Sequence, residues 1–204
     1  MSTIIKVYEE NPDHALIRQV VAVLKEGGII IFPTDTVYAF GCDIFNARAV
    51  EAIVKLKNKD ARKPNLSFVC HEMSQISEYA KMGNTAFRLI KKNLPGPFTF
   101  LLRGSNRLPK LFKHKKEVGI RIPNNAIALE IVRELGNPMM VSSIFMDIEE
   151  TEYTTNPELV CEKFGCHVDL VVDGGTGGIE PSTVVDCTED EYFIVRQGAG
   201  ELIE

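Results

Sequence analysis

Capped helical periods and short apolar runs alternate along this 204-residue chain, and that alternation limits its fold more than any other feature. Pro12-Asp13 precedes Leu16, Val20, Val23 and Leu24 at helical spacing, and Gly27-Gly28 closes the segment. Residues 29–32 predict a strand. Asn46 is placed to cap a second helix with Val50, Ile53 and Val54 on one face. Further strands are predicted over 66–70, 98–102, 118–122 and 139–144, and helices over 84–93 and 126–135. Asn156-Pro157-Glu158 starts another helix, with proline at its first position. The end is β-rich, with runs at 168–172, 183–186 and 193–195. Helices among the early strands and strands accumulating later predict an α/β or α+β unit on one twisted mixed sheet with flanking helices. One domain over 1–204 is expected, since this length buries one sizeable core and no repeat, low-complexity tract or linker interrupts it.

Hydrophobic content of 45% and charged content of 25% are ordinary for a globular protein. No basic-then-apolar leader opens the chain, and no apolar run approaches the ~18 residues of a membrane span. The expected location is the cytoplasm. The five cysteines (Cys42, Cys70, Cys161, Cys166, Cys187) are scattered and odd in number, as reduced thiols would be. Cys161, Cys166 and His167 lack the second spaced pair that a zinc site needs, so no metal site is assigned.

The net charge of −5 conceals an uneven distribution. Residues 1–146 hold 21 Lys and Arg against 13 Asp and Glu, whereas residues 147–204 hold 2 against 15. Positive charge also clusters: Lys55, Lys57, Lys59, Arg62 and Lys63 in one stretch, then Lys110, Lys113, Lys115 and Lys116 in another. Such clusters suit the phosphates of a nucleotide or of RNA, or are simply solvated faces.

Several predicted strands finish in polar residues. Phe32 leads to Thr34-Asp35-Thr36, the 118–122 strand contains Arg121, and Met140-Val141 leads to Ser142-Ser143. Ligands of open α/β sheets settle in the crevice outside strand ends, and converging hydroxyls and cations there suit an anionic ligand. A lone threonine or serine reads equally well as a turn or cap. Arg121 is more demanding, because an arginine within an apolar strand must be paired or must bind something. The glycine-rich DGGTGGIEPST, residues 173–183, lacks the P-loop and dinucleotide fingerprints; it reads as a phosphate-approaching loop or as a plain turn. No residue is singled out as a catalytic nucleophile, and none of the four histidines lies in a triad-like setting. Any reaction would then proceed by positioning and charge stabilisation, as adenylyl transfer does.

PTDTVYAFGCD (33–43) resembles the PT-(E/D)-T-x-YGLG-x-(D/N) signature of the Sua5/YrdC/YciO family. LPGPFTFLL (94–102) is similar to its PGPxTxxL element, VGIRIPNN (118–125) to VGVRxPxH, and STVVDCT with VRQGAG to STVxD and RxG. The resemblance spans nearly the whole chain in the family's order. It implies a YrdC-like twisted open mixed sheet with flanking helices and a basic concave cleft, without the C-terminal domain of longer Sua5 proteins. It also implies threonylcarbamoyl-AMP synthase activity, a nucleotidyl transfer from ATP with threonine and bicarbonate, with Mg²⁺ accompanying ATP. That product serves tRNA t6A modification, and YrdC-type members are described as binding double-stranded RNA.

Carried over by motif, Lys57, Lys59, Ser143 and Arg196 fall on nucleotide or phosphate, and Thr36, Arg121 and Ser182 on the amino-acid substrate. Lys55, Arg62, Lys63, Lys113, Lys115 and Lys116 are the cations expected to meet RNA. The sequence departs from the family at Lys59 (arginine in the K-x-R motif), Phe68 (often histidine), Glu117 (commonly threonine) and Phe145 (asparagine in S-x-N). With scaffold motifs kept and catalytic motifs altered, the chain resembles the YciO branch more than a complete synthase. Three functions stay open: an ATP-dependent synthase, an RNA- or nucleotide-binding module without chemistry, and a protein-interaction module with a vestigial adenylate cleft.

Overall fold

The structure is a computed structural model that describes residues 3–58, 67–112, 117–144 and 151–204. The strands are β1 (Thr3–Lys6), β2 (Ile30–Phe32), β3 (Ala39–Asp43), β4 (Ser67–Val69), β5 (Ala80–Lys81), β6 (Phe98–Gly104), β7 (Glu117–Arg121), β8 (Met139–Ser143), β9 (Leu170–Asp173), β10 (Thr183–Asp186) and β11 (Phe193–Arg196). Among the described residues these eleven strands form one twisted, open, mixed sheet in the order β1-β9-β2-β3-β8-β4-β7-β6-β10-β11, with β5 beside β6. The β1/β9, β2/β9, β4/β7 and β6/β10 pairs are parallel. The other pairs are antiparallel.

The helices are α1 (His14–Lys25), α2 (Ala47–Asn58), α3 (Met73–Tyr79), α4 (Asn84–Asn93), α5 (Ala126–Leu135), α6 (Glu152–Thr155) and α7 (Pro157–Phe164). Four of them, α1, α2, α5 and α7, start at a capping side chain. Asp13 Oδ1 accepts from Ala15 N at 2.6 Å, and Asn46 Oδ1 accepts from Ala49 N at 3.0 Å. Asn125 Oδ1 accepts from Ala128 N at 3.0 Å, and Asn156 Oδ1 from Glu158 N at 2.9 Å. Gly136 closes α5 at φ +85°, a conformation that side chains with a Cβ rarely adopt.

Strand alternation splits the core in two. On one side α1 and α5 cover Ile30, Phe32, Ala39, Met139, Val141, Leu170 and Val172, all buried. On the other side α2, α3, α4 and α7 cover Ile31, Phe40, Phe68, Phe100, Ile120, Met140 and Val171. Phe68 belongs to this second core, edge-to-face on Phe112 with centroids 4.9 Å apart.

The α1/α5 side is covered only in part. The strand register places Ser67, Gly119, Arg121, Thr99, Leu101, Val184 and Arg196 on that side, on strands β4, β7, β6, β10 and β11. None of them belongs to the apolar cluster under α1 and α5, and Ser67, Leu101 and Val184 are half-buried while Arg196 is exposed. Among the described residues, a more polar half-face without a covering helix thus lies beside an apolar, helix-covered one.

Candidate functional site

The polar residues expected at one crevice do not share one edge of the sheet. β7 runs opposite to β2 and β8, so Arg121 ends its strand at the edge away from Phe32 and Ser143. They meet because the 33–38 turn between β2 and β3 reaches Arg121. Its guanidinium Nη2 donates to Asp35 Oδ1 at 2.8 Å and to Thr36 Oγ1 at 3.1 Å. The second oxygen of Asp35 accepts from Asn124 N at 2.9 Å, just ahead of α5.

The turn is fixed from within. Thr34 Oγ1 donates to Val37 O at 2.7 Å and lies 3.0 Å from Thr36 Oγ1. Thr36 N donates back to Thr34 Oγ1 at 3.1 Å. Tyr38 OH donates to Gly175 O at 2.7 Å and accepts from Gly174 N at 3.1 Å. Burial pushes the Tyr38 phenol well above its usual range, so it stays a neutral donor at any physiological pH.

The glycine-rich segment lies against this turn. Gly175 N donates to Asp173 Oδ1 at 2.9 Å and Gly177 N to Thr155 O at 2.9 Å. With Gly174 N on Tyr38, three of its donors are spent within the protein. The glycines serve close approach instead: a Cβ on Gly177 would come within 2.6 Å of the Tyr38 ring, and one on Gly178 would overlap Thr36 O.

Arg121 is held deep in this arrangement. Its side chain is 6% exposed and that of Asp35 7%. Burial lowers the Arg121 pKa, the Asp35 charge and hydrogen bond oppose that shift, and the nearby Arg196 cation adds to it. Arg121 Nε is buried with no hydrogen-bond partner among the described residues, where such donors are normally satisfied. Arg196, exposed as a residue but with partial desolvation lowering its pKa, is anchored by donating from Nη2 to Ser182 O at 2.5 Å. Ser182 Oγ lies 2.8 Å from Thr99 Oγ1. Thr183 Oγ1 donates to Gly200 O at 2.6 Å and accepts from Gly198 N at 3.0 Å, fixing the turn after Arg196.

Thr36, Arg121, Ser182 and Arg196 thus gather beside Gly119, Ser67 and Thr99. Gly119 has no room for a side chain, since a Cβ there would meet Ser67 Oγ at 2.7 Å and Thr99 Cγ2 at 3.1 Å.

The predicted residues are placed unevenly. Thr36, Arg121, Ser182 and Arg196 come together. Lys57 and Ser143 join each other, Lys57 Nζ donating to Ser143 O at 2.7 Å. That pair lies at the exit of the same turn, where Ile144 N donates to Tyr38 O at 3.0 Å. Lys55 is exposed on α2. Lys59, Arg62, Lys63, Lys113, Lys115, Lys116 and Phe145 lie outside the described residues. Sequence reasoning placed Asp35 at the polar strand end without its arginine partner, and missed Asn124, Thr99 and Gly119 as parts of the site. A glycine between Val118 and Ile120 was a readable sign of close approach; nothing local announced Asp35 as the partner of an arginine 86 positions away.

Residues 22–198 match the Sua5_yciO_yrdC family, described as telomere recombination. The chain belongs to the Sua5/YciO/YrdC family. Within that family it is 40% identical over 202 residues to an uncharacterized protein of Haemophilus influenzae, covering 98% of this chain and 97% of the relative. The crystal structure of Escherichia coli YciO superposes with a TM-score of 0.88 at 36% identity, over 98% of both chains. The threonylcarbamoyl-AMP synthase of Pyrococcus abyssi is 30% identical over 206 residues, 99% of this chain but 59% of that protein. A crystal structure of P. abyssi Sua5 complexed with L-threonine superposes with a TM-score of 0.80 at 27% identity, over 97% of this chain and 58% of that one. Among Sua5/YciO/YrdC proteins the chain is thus nearer to these two than to the P. abyssi synthase.

Proposed function

We propose that the open half-face binds a nucleotide together with an amino acid and supports threonylcarbamoyl-adenylate formation, in the service of tRNA modification. The observation that carries this reading is Arg121: buried, held by Thr36 and Asp35, beside Arg196, and with Nε lacking an acceptor among the described residues. A buried guanidinium with an unused donor is prepared for an anion. The family relationship to proteins named for threonylcarbamoyl-AMP suggests which one.

In the proposed reaction the threonine amine and bicarbonate condense to a carbamate with loss of water. A carbamate oxygen then attacks the α-phosphorus of ATP; the new P–O bond forms as the bond to pyrophosphate breaks, and pyrophosphate departs. Arg121, Thr36 and Ser182 would hold the amino-acid end. Arg196 and Lys57 would offset charge on the phosphates, with positions fixed before reaction. The hydroxyls remain neutral, so their contribution is orientation.

Among the described residues the side chains assemble no site for Mg²⁺: no group of three or more His, Cys, Asp or Glu is assembled there, and both oxygens of Asp35 are engaged. The ion would accompany ATP and add charge compensation at its phosphates.

Calorimetric titration of ATP with and without L-threonine and bicarbonate tests the proposal, joined to a pyrophosphate-release assay. Tightening of ATP binding by both co-substrates and release that requires them are expected. ATP binding indifferent to both, without pyrophosphate, would overturn the synthase reading in favour of a binding module. RNA binding rests on thinner ground, since Lys55 alone of its assigned cations lies among the described residues. Duplex RNA or tRNA retention should fall steeply with added salt if phosphates dominate it.

A further inference from the structure

We infer that Asp35 does not receive the ligand but acts as a positioning residue, fixing the Arg121 guanidinium in one orientation beside the anion. The inference rests on the proposed function only for the identity of that anion. Nη2 spends both of its protons, one on Asp35 and one on Thr36, so that end of the guanidinium cannot turn. The carboxylate cannot turn either. Its second oxygen takes the backbone N–H of Asn124, three residues after Arg121, closing a ring through Arg121, Ile122 and Pro123. The same carboxylate therefore sets the arginine side chain and the chain's path into α5. With Nη2 committed, Nε is left as a donor that has no acceptor among the described residues. Asp35 also supports the charged state of an arginine that burial and Arg196 both disfavour.

This role and a merely electrostatic one predict opposite signs. A carboxylate in a cationic hollow repels an incoming anion, so removing its charge should tighten anion binding. If Asp35 orients Arg121, the same change should weaken binding, because an unfixed guanidinium loses its preorganised geometry.

The test uses the full chain labelled with ¹⁵N-arginine, the Arg121 Nε–H resonance being assigned by its loss in Arg121→Lys. Wild type should give one exchange-protected Nε–H signal. Asp35→Asn should move it toward the exposed arginines and lower affinity for ATP with threonine and bicarbonate by about tenfold or more. Asp35→Glu keeps the charge on a longer arm and covers the case in which the asparagine variant does not fold. It too should displace the resonance and weaken binding, whereas a charge-only role predicts no change. An unmoved Nε–H signal in the variants, or tighter anion binding in Asp35→Asn, would overturn the inference. If the signal moves as expected but wild type binds neither ATP nor threonine, the proposed function falls and the orienting role stands.

Discussion

Two halves of one sheet face can be set side by side. Under α1 and α5, strands β9, β2, β3 and β8 present Leu170, Val172, Ile30, Phe32, Ala39, Met139 and Val141, all buried. Across β4 the same face continues onto β7, β6, β10 and β11, where Gly119, Arg121, Thr99, Val184 and Arg196 occupy equivalent positions. The backbone geometry does not change; the cover does. The difference teaches that the site was built by withholding a helix from half a face and replacing large apolar side chains with glycine, hydroxyls and arginines. The covered half holds the fold together by apolar burial. The other half is ordered by specific hydrogen bonds among Thr36, Asp35, Arg121, Thr99, Ser182 and Arg196.

The sharpest way to break the comparison is truncation of one residue on each half. Phe32→Ala should cost about 3–5 kcal/mol in urea unfolding, because Phe32 is buried without exposure and its cavity cannot fill. Leu101→Ala, half-buried on the open half, should cost roughly 1 kcal/mol. Equal losses would mean that the open half is packed as a core. Asp35→Ala should be the exception on the open half, costing about 3–5 kcal/mol by leaving Arg121 buried without its counter-charge. A loss below ~1 kcal/mol would show that water reaches the guanidinium. Gly178→Ala should cost about 1–3 kcal/mol and displace the turn bearing Thr36, since the new methyl would overlap Thr36 O. It should lower ligand affinity as well as stability, a pairing not expected of Phe32→Ala.

The smallest expected effect concerns pH and lies in the core on the opposite side of the sheet. Burial pushes the Cys187 thiol up to about 11, with Asp186 adding to the shift. An unfolded thiol titrates near about 8.5, so the folded chain holds this proton longer. The associated stability is complete below that value and is lost as pH rises through about 11. Urea midpoints measured from pH 8 to 11 should fall less steeply in Cys187→Ala than in wild type.

Legibility in the sequence followed the range of the interactions. Helices α4 and α5 and strand β10 have the predicted bounds, because caps, glycines and apolar periods are local signals. β1 was missed: three of its four residues are exposed, and its partner β9 lies far along the chain. β3 was missed as a strand because the PTDT turn drew attention to polarity and hid the apolar run after it. α3 has no side-chain cap hydrogen bond, so its start carried no signal. In the site, Thr36, Arg121, Ser182 and Arg196 were legible by motif. Their convergence was expected at the strand ends, but the route to it was not, since β7 opposes β2 and β8 and the turn crosses to meet it. Asp35 was read as part of a polar strand end, when its role is set by a contact that only the folded chain makes.

The pairing of β1 with β9 bears on how the molecule emerges from the ribosome. Thr3 lies beside Leu170 and Ile5 beside Val172, so the first strand made has no place to dock until the last third of the chain has been synthesised. Until then β2 also lacks its parallel neighbour, and its outer backbone edge stays uncovered. Nascent chains stalled before residue 170 should therefore carry two unjoined ribbons, a natural target for chaperones that recognise extended segments.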